Sequence, residues 1–191
     1  MGKTYEGISA EISAWVGKQP LFFVGTAPLG GDGHVNVSPK GLDSLRILSP
    51  ARVAYLDLTG SGAETIAHVR ENGRIVIMFC AFSGPPKIVR FHGRAKVVTP
   101  RSAGWAALRE HFPTHLGARA VVDVEVTRVS DSCGYGVPVF GAPTQREALD
   151  MWTQKKGGEG LVAYRRQKNA RSIDGLPALE EEDEARADQG V

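Results

Sequence analysis

The sequence predicts a mainly β fold with peripheral helices (α+β), six or seven antiparallel strands forming a closed or partly closed barrel. Three observations carry that expectation. Short apolar or alternating runs outnumber helical patterns between residues 21 and 129. Several connections between them are short and rich in Gly and Pro, as in Pro28-Leu29-Gly30-Gly31-Asp32-Gly33, which suits antiparallel neighbours. Strand and helix patterns do not alternate steadily, so a doubly wound parallel sheet fits less well.

Ile8, Ile12 and Trp15 recur at helical spacing, so residues 4–17 are expected to form an amphipathic helix, ended by Pro20. Leu21 to Ala27, with Phe22, Phe23 and Val24, is a strand. His34 to Ser38 alternates and returns beside it. Leu45 to Leu48 is short and extended. Arg52 to Leu58 is a further strand, with Val53, Tyr55 and Asp57 on one face. The turn Gly60-Ser61-Gly62 leads into a helix reaching about Asn72. Arg74 to Phe82 is an apolar, central strand, stopped by Ser83-Gly84-Pro85-Pro86. Lys87 to Val98 resumes as a strand. Pro100 suits the first turn of a helix running to about His111. Ala120 to Val129 alternates Val122, Val124 and Val126 with Asp123, Glu125 and Thr127. A helix around Thr144 to Lys156 and a shorter one near Gly160 to Lys168 follow. Residues 1–179 are expected to be a single domain with a C-terminal helical extension from about residue 131.

The 191 residues are 42% hydrophobic and 23% charged, which suits one globular domain. No apolar run approaches the roughly 20 residues needed to span a bilayer. Met1 to Glu6 lacks the apolar segment of a secretory signal, and Glu6 stands where myristoylation wants Ser or Thr. The cytoplasm is the expected compartment. Cys80 lies in an apolar run and is expected to be buried; with Cys133 the only other cysteine, a disulfide is not expected. Residues 180–191 hold six acids and one base and read as a solvated, disordered tail. Outside them 22 bases face 15 acids, a net +7 that favours a phosphorylated small molecule. The bases are scattered, so nucleic acid is not expected as a partner, nor is a membrane.

Gly60-Ser61-Gly62-Ala63-Glu64-Thr65 lies where a dinucleotide fingerprint would lie, between strand and helix. Thr65 replaces the third glycine and no acid follows at the required distance in a matching strand, which disfavours a Rossmann site. What remains is a glycine turn with backbone N–H groups at a helix start, able to bind an anion. It also reads as a plain turn with Ser61 as N-cap and Glu64 as its capping-box partner. Gly2-Lys3-Thr4 lacks the upstream glycine of a P-loop. His111 and His115 flank Pro113 rather than sharing a metal-binding helix, and His34, His68 and His92 are isolated, so no metal site is expected. No catalytic acid–base or nucleophilic set can be assigned.

Four segments occur in a telling order. They are Val35-Asn36-Val37-Ser38-Pro39-Lys40-Gly41, Tyr55 through Thr65, Ile75-Val76-Ile77-Met78-Phe79, and Ile88-Val89-Arg90-Phe91-His92-Gly93-Arg94-Ala95. The series, over about residues 18–130, resembles the pyridoxamine 5'-phosphate oxidase-like family, and Val89-Arg90-Phe91-His92-Gly93 is similar to that family's Val-Arg-Ile-Glu-Gly strand. The resemblance implies a split barrel, a homodimer and FMN bound at the subunit interface. The biosynthetic oxidase has an arginine where Val35 stands, a Ser-Arg-Lys run near Ala63-Glu64-Thr65 and a glutamine near Ile88. Their absence points to another branch with an unidentified small-molecule substrate.

On this reading the cofactor-binding residues are Asn36, Ser38, Lys40, Ser61, Gly62, Thr65 and Arg90. Lys40, with donors from Ser38, Ser61 and Thr65, would hold the FMN phosphate; Lys40 also reads as a solvated strand-end lysine. Arg90 either points to solvent or, as the resemblance favours, sits near the flavin pyrimidine edge, where a cation stabilises developing negative charge. Ser132, Cys133 and Tyr135 lie among glycines and would cap the pocket, or simply turn the chain. Trp105, Phe91 and Tyr55 are either dimer anchors or monomer core. Three functions stay open: an FMN-dependent oxidoreductase, a non-catalytic flavin carrier or sensor, and a split barrel holding a deazaflavin or haem.

Overall fold

A computed structural model describes residues 2–141 and 143–183. The acidic tail expected over 180–191 therefore lies outside the described residues from 184 onward. Among the described residues eight strands form one antiparallel sheet: β1 (Thr4–Tyr5), β2 (Phe22–Thr26), β3 (Asn36–Lys40), β4 (Leu45–Ser49), β5 (Arg52–Leu58), β6 (Arg74–Cys80), β7 (Ile88–Val98) and β8 (Ala118–Ser132). The order is β3-β2-β6-β7-β8-β5-β4, with β1 added to β8. The α-helical segments among the described residues are peripheral: α1 (Ala10–Val16), α2 (Glu64–Asn72), α3 (Trp105–Arg109) and α4 (Ala148–Lys168), the last kinked at Gly157. No helix among the described residues is long and apolar enough to cross a membrane.

The chain starts differently from expectation. Thr4 and Tyr5 pair with Ser130 and Val129, so the first turns expected as helix are β1, the strand that brings the total to eight. Asp131 fixes them, accepting from Lys3 N at 2.8 Å and from the Tyr5 hydroxyl at 2.6 Å. The helix begins only at Ala10, where the Ser9 side chain caps Ile12 N. Ile8, Ile12 and Val16 then turn into the core.

Most of the barrel interior is apolar. Val24, Val53, Tyr55, Ile77, Val89, Phe91, Val122 and Val124 are completely enclosed. Phe79 meets Phe91 edge-on at 5.3 Å and Phe22 meets Tyr55 at 5.7 Å. Tyr55 and Phe91 are therefore monomer core, which removes them as interface anchors. In β5, Val53 and Tyr55 face this interior, whereas Ala54 and Leu56 pack outward on Leu108, Phe112 and Val121 beside α3.

The sheet does not close. Its edges, β3 and β4, are joined by residues 41–44 without a backbone ladder. Leu42 and Asp43 turn this corner with φ of 59° and 52°, a left-handed backbone uncommon outside glycine. Side chains bridge the seam instead. Lys40 Nζ on β3 reaches Asp57 Oδ1 on β5 at 3.0 Å. The expected split barrel is thus held across its gap by polar groups.

Candidate functional site

Paired residues in an antiparallel ladder share a face, so register says which way each expected site residue points. Ser38 pairs with Val24, which pairs with Ile77, and Ile77 with Phe91. The last three are enclosed core, so Ser38 faces inward, and Asn36 and Lys40, two residues either side, do too. Pro39 pairs with Phe23, Phe23 with Met78, and Met78 with Arg90. Arg90 therefore lies on the outer face, about three strand spacings or 14 Å across from β3. It donates to Ser132 Oγ at 3.0 Å.

Asn36 and Ser38 meet Thr65 as one inward network. Asn36 Nδ2 donates to Thr65 Oγ1 at 2.9 Å and to Thr26 Oγ1 at 3.2 Å, while Ser38 Oγ donates to Asn36 Oδ1 at 3.2 Å. Thr26 Oγ1 continues to His68 Nδ1 at 3.0 Å. Burial pushes the His68 imidazole below its ordinary value, against the opposing pull of Asp174, Glu64 and Glu71. His68 Nε2 and the Tyr55 hydroxyl are buried without a hydrogen-bond partner among the described residues. Burial first, and the Asp57 charge second, push the Tyr55 phenol well above its usual value.

Lys40 belongs to a neighbouring cluster. Asp57, at 1% exposure, receives Lys40 at 3.0 Å and Arg119 Nε at 2.7 Å. Burial alone would raise its carboxyl; Arg119 and then Lys40 outweigh burial and hold it below the ordinary value. Arg119 also donates through Nη1 to Gly62 O at 2.9 Å. Arg165 reaches Thr59 Oγ1 at 3.2 Å, and Asn169 Nδ2 reaches Gly60 O at 3.0 Å. Two cations thus meet one buried carboxylate behind the glycine turn, with Arg165 bonded to the neighbouring Thr59.

The turn differs from the capping box. The N-cap of α2 is Ala63, with no side-chain cap bond, and Ser61 is exposed. Among the described residues none of the N–H groups from Ser61 to Ile66 donates to a protein acceptor. The Glu64 carboxylate curls back over Gly62 and accepts Ile173 N at 3.3 Å. The segment after α4 covers this end of the barrel, with Ala178 and Leu179 packed on Ala63, Ile66 and Ala67. Asp174 there bonds His34 Nδ1 at 2.6 Å.

The fold brings Asn36, Ser38, Thr65, Gly62 and Lys40 to one end of the seam, with Ser61 on the adjoining turn. It does not bring Arg90 to them within one chain. Arg119, Asp57 and Asn169 are absent from the residues expected of the site. Arg119 sits immediately before the alternating run that begins at Ala120 and Asn169 ends a helix, so nothing local marks either.

An open run of N–H donors with excess positive charge behind it fits the phosphate of FMN, a dianion that needs several donors. The Glu64 carboxylate opposes it.

The sequence profile of the pyridoxamine 5'-phosphate oxidase family matches residues 8–133. The pyridoxamine 5'-phosphate oxidase family protein ustO of Aspergillus flavus is 42% identical over 193 aligned positions, spanning 92% of this chain and 77% of its own. Among solved structures, a variant of HupZ from Group A Streptococcus gives a TM-score of 0.51 at 23% identity, over 65% of this chain and 99% of the other. A pyridoxamine 5'-phosphate oxidase-type protein of Lactobacillus delbrueckii gives 0.50 at 18% identity, over 66% and 98%. At those identities the structural likeness bears on fold alone.

Proposed function

Because the chain belongs to the pyridoxamine 5'-phosphate oxidase family, we propose that it binds FMN and acts as an FMN-dependent oxidoreductase on a small molecule. The observation that carries this reading is the turn at residues 61–66, whose N–H groups donate to no protein acceptor among the described residues while Arg119 and Lys40 supply positive charge behind them. Bound flavin would supply the redox chemistry. The chain's own part is to hold and orient. Ser61, Gly62 and Thr65 offer phosphate donors. Asn36 and Ser38 fix Thr65 from the interior, and Lys40 contributes charge through Asp57 rather than as a solvated strand end.

Arg90 and the loop at Cys133 enter this reading through a second copy. Arg90 shares the outer sheet face with Phe23, Met78 and the exposed Val37, and Tyr135 and Phe140 stand exposed nearby in sequence to Ser132. A homodimer formed on that face would place one protomer's Arg90 beside the partner's cofactor. There a fixed cation stabilises the charge of the reduced flavin.

The test is identification of the small molecule released when the purified protein is denatured, by absorption spectrum and mass. FMN is the expected answer. A haem or a deazaflavin would overturn the reading in favour of another split-barrel cofactor. FMN without turnover, given reductant and acceptor, would make the protein a carrier or sensor.

A further inference from the structure

We propose that Arg119 and Asn169 are the positioning residues of the phosphate end, acting through the carbonyls of Gly60 and Gly62, so that the C-terminal extension is a working part of the cofactor site. The inference rests on the FMN reading above and concerns what builds its anion-binding turn.

The argument begins with peptide geometry. In a trans peptide the C=O of one residue and the N–H of the next point in opposite directions, and no described peptide is cis. Gly60 O is held by Asn169 Nδ2 at 3.0 Å, and Gly62 O by Arg119 Nη1 at 2.9 Å, with Asn169 Nδ2 at a longer 3.5 Å. Both donors come from inside: Asn169 is 0% exposed and Arg119 6%. The N–H groups of Ser61 and Ala63 must then point the other way, away from Arg119 and Asn169. They continue into the N–H groups of Glu64, Thr65 and Ile66 at the start of α2, which have no acceptor among the described residues.

Each positioning residue is itself fixed. Arg119 is oriented by its 2.7 Å pair with Asp57, leaving Nη1 for Gly62. Asn169 is anchored by its own backbone, its N–H donating to Arg165 O at 2.7 Å and its carbonyl accepting from Leu179 N at 2.9 Å. Its Oδ1 is buried without a partner among the described residues, so the amide is committed by its donor side. A glycine turn without such ties would sample many conformations, because glycine loses the most freedom on ordering. Pinning two carbonyls from behind sets the donors before a ligand arrives, which is how a preorganised site gains affinity.

The experiment compares FMN with riboflavin, which lacks the phosphate, on full-length protein freed of bound flavin. Dissociation constants are read by flavin fluorescence, and thermal midpoints report the fold. Wild type is expected to prefer FMN. Asn169→Ala is expected to weaken FMN by about tenfold or more while leaving riboflavin within about twofold, since bonds to a charged group contribute roughly 1.5–3 kcal/mol. Asn169→Asp, nearly isosteric, removes the same donor and should repeat the loss if the alanine protein folds poorly. Arg119→Lys keeps the charge but cannot span Asp57 and Gly62 O together, and should also narrow the preference. An unchanged preference for FMN in these variants overturns the inference and leaves the flavin reading standing. So does an equal loss of both flavins with a lower thermal midpoint, which would make the residues merely structural. Wild type that binds neither flavin, or shows no preference, removes the reading itself and the inference with it.

Discussion

Asp57 shows how much one side chain can carry. Its carboxylate is enclosed and met by two cations from two other strands, so it joins β3, β5 and β8 at the seam. Taking it away strands the buried Arg119 charge, a loss of about 3–5 kcal/mol by analogy with broken buried ion pairs. Asp57→Asn should therefore lower the chemical unfolding midpoint sharply, whereas Lys40→Ala, which leaves the Arg119 pair, should cost less. The pH dependence follows from the depressed carboxyl. A lowered folded value means that the contribution is complete above the ordinary carboxyl value of about 4 and is lost as pH falls through the folded one. Unfolding followed below about pH 4 should show wild type losing stability more steeply than Asp57→Asn. Glu64 makes the opposite case. Its carboxylate shares the positive end of α2 with any bound phosphate. Glu64→Gln should tighten FMN and not riboflavin; a weaker FMN complex would show that Glu64 helps rather than competes.

Among the elements, α4 gives the plainest test. The sequence places one helix around 144–156 and another near 160–168. The structure agrees: the span from Ala148 to Lys168 is two helices meeting at a kink at Gly157, whose φ of 68° and ψ of 171° are non-helical. That conformation is essentially restricted to glycine, so Gly157→Ala should cost about 1–3 kcal/mol. At Gly160 an added Cβ would meet only Lys156 Cβ, at 3.5 Å, and alanine there should stabilise by up to about 1 kcal/mol. Calorimetry of the two variants should give shifts of opposite sign. The break was legible because the glycines of Gly157-Gly158-Glu159-Gly160 interrupt a helical pattern. The long strands were legible for a similar reason: β5, β6 and β8 carry unbroken apolar or alternating runs. β1 was not, since two residues have no period and Ile8 and Ile12 made the neighbouring helix seem longer than it is. Ser61 as N-cap followed from composition alone, yet Ala63 sits where the helix begins.

At the scale of the whole molecule, alternation shows which residues share a face but not which face is inside. Asn36, Ser38 and Lys40 were grouped from the sequence, and Arg90 with them, but their register sets Arg90 on the opposite side. Partners distant in the chain, such as Asp57 with Arg119 or Gly60 with Asn169, have no local signal at all. The outer face keeps Val37 at 64% exposure, an apolar side chain beside partly buried Phe23, Val76 and Met78. A homodimer on this face predicts that wild type sediments as a dimer at micromolar concentration and that Val37→Glu sediments as a monomer with an unchanged thermal fold; monomeric wild type would exclude it. The strand order has a consequence for how the protein is made. β8 zips to β7 along one edge and to β5 and β1 along the other, with Thr4 opposite Ser130. During synthesis from the N-terminus, β5 emerges with only β4 to pair with. Its Val53 and Tyr55 wait for their β8 partners Val124 and Val122, which come far later in the chain. Such non-local pairing folds slowly, in milliseconds to seconds. A ribosome pausing between Leu58 and Ser132 would hold out an unpaired apolar strand, the stage at which nascent chains associate wrongly or engage chaperones.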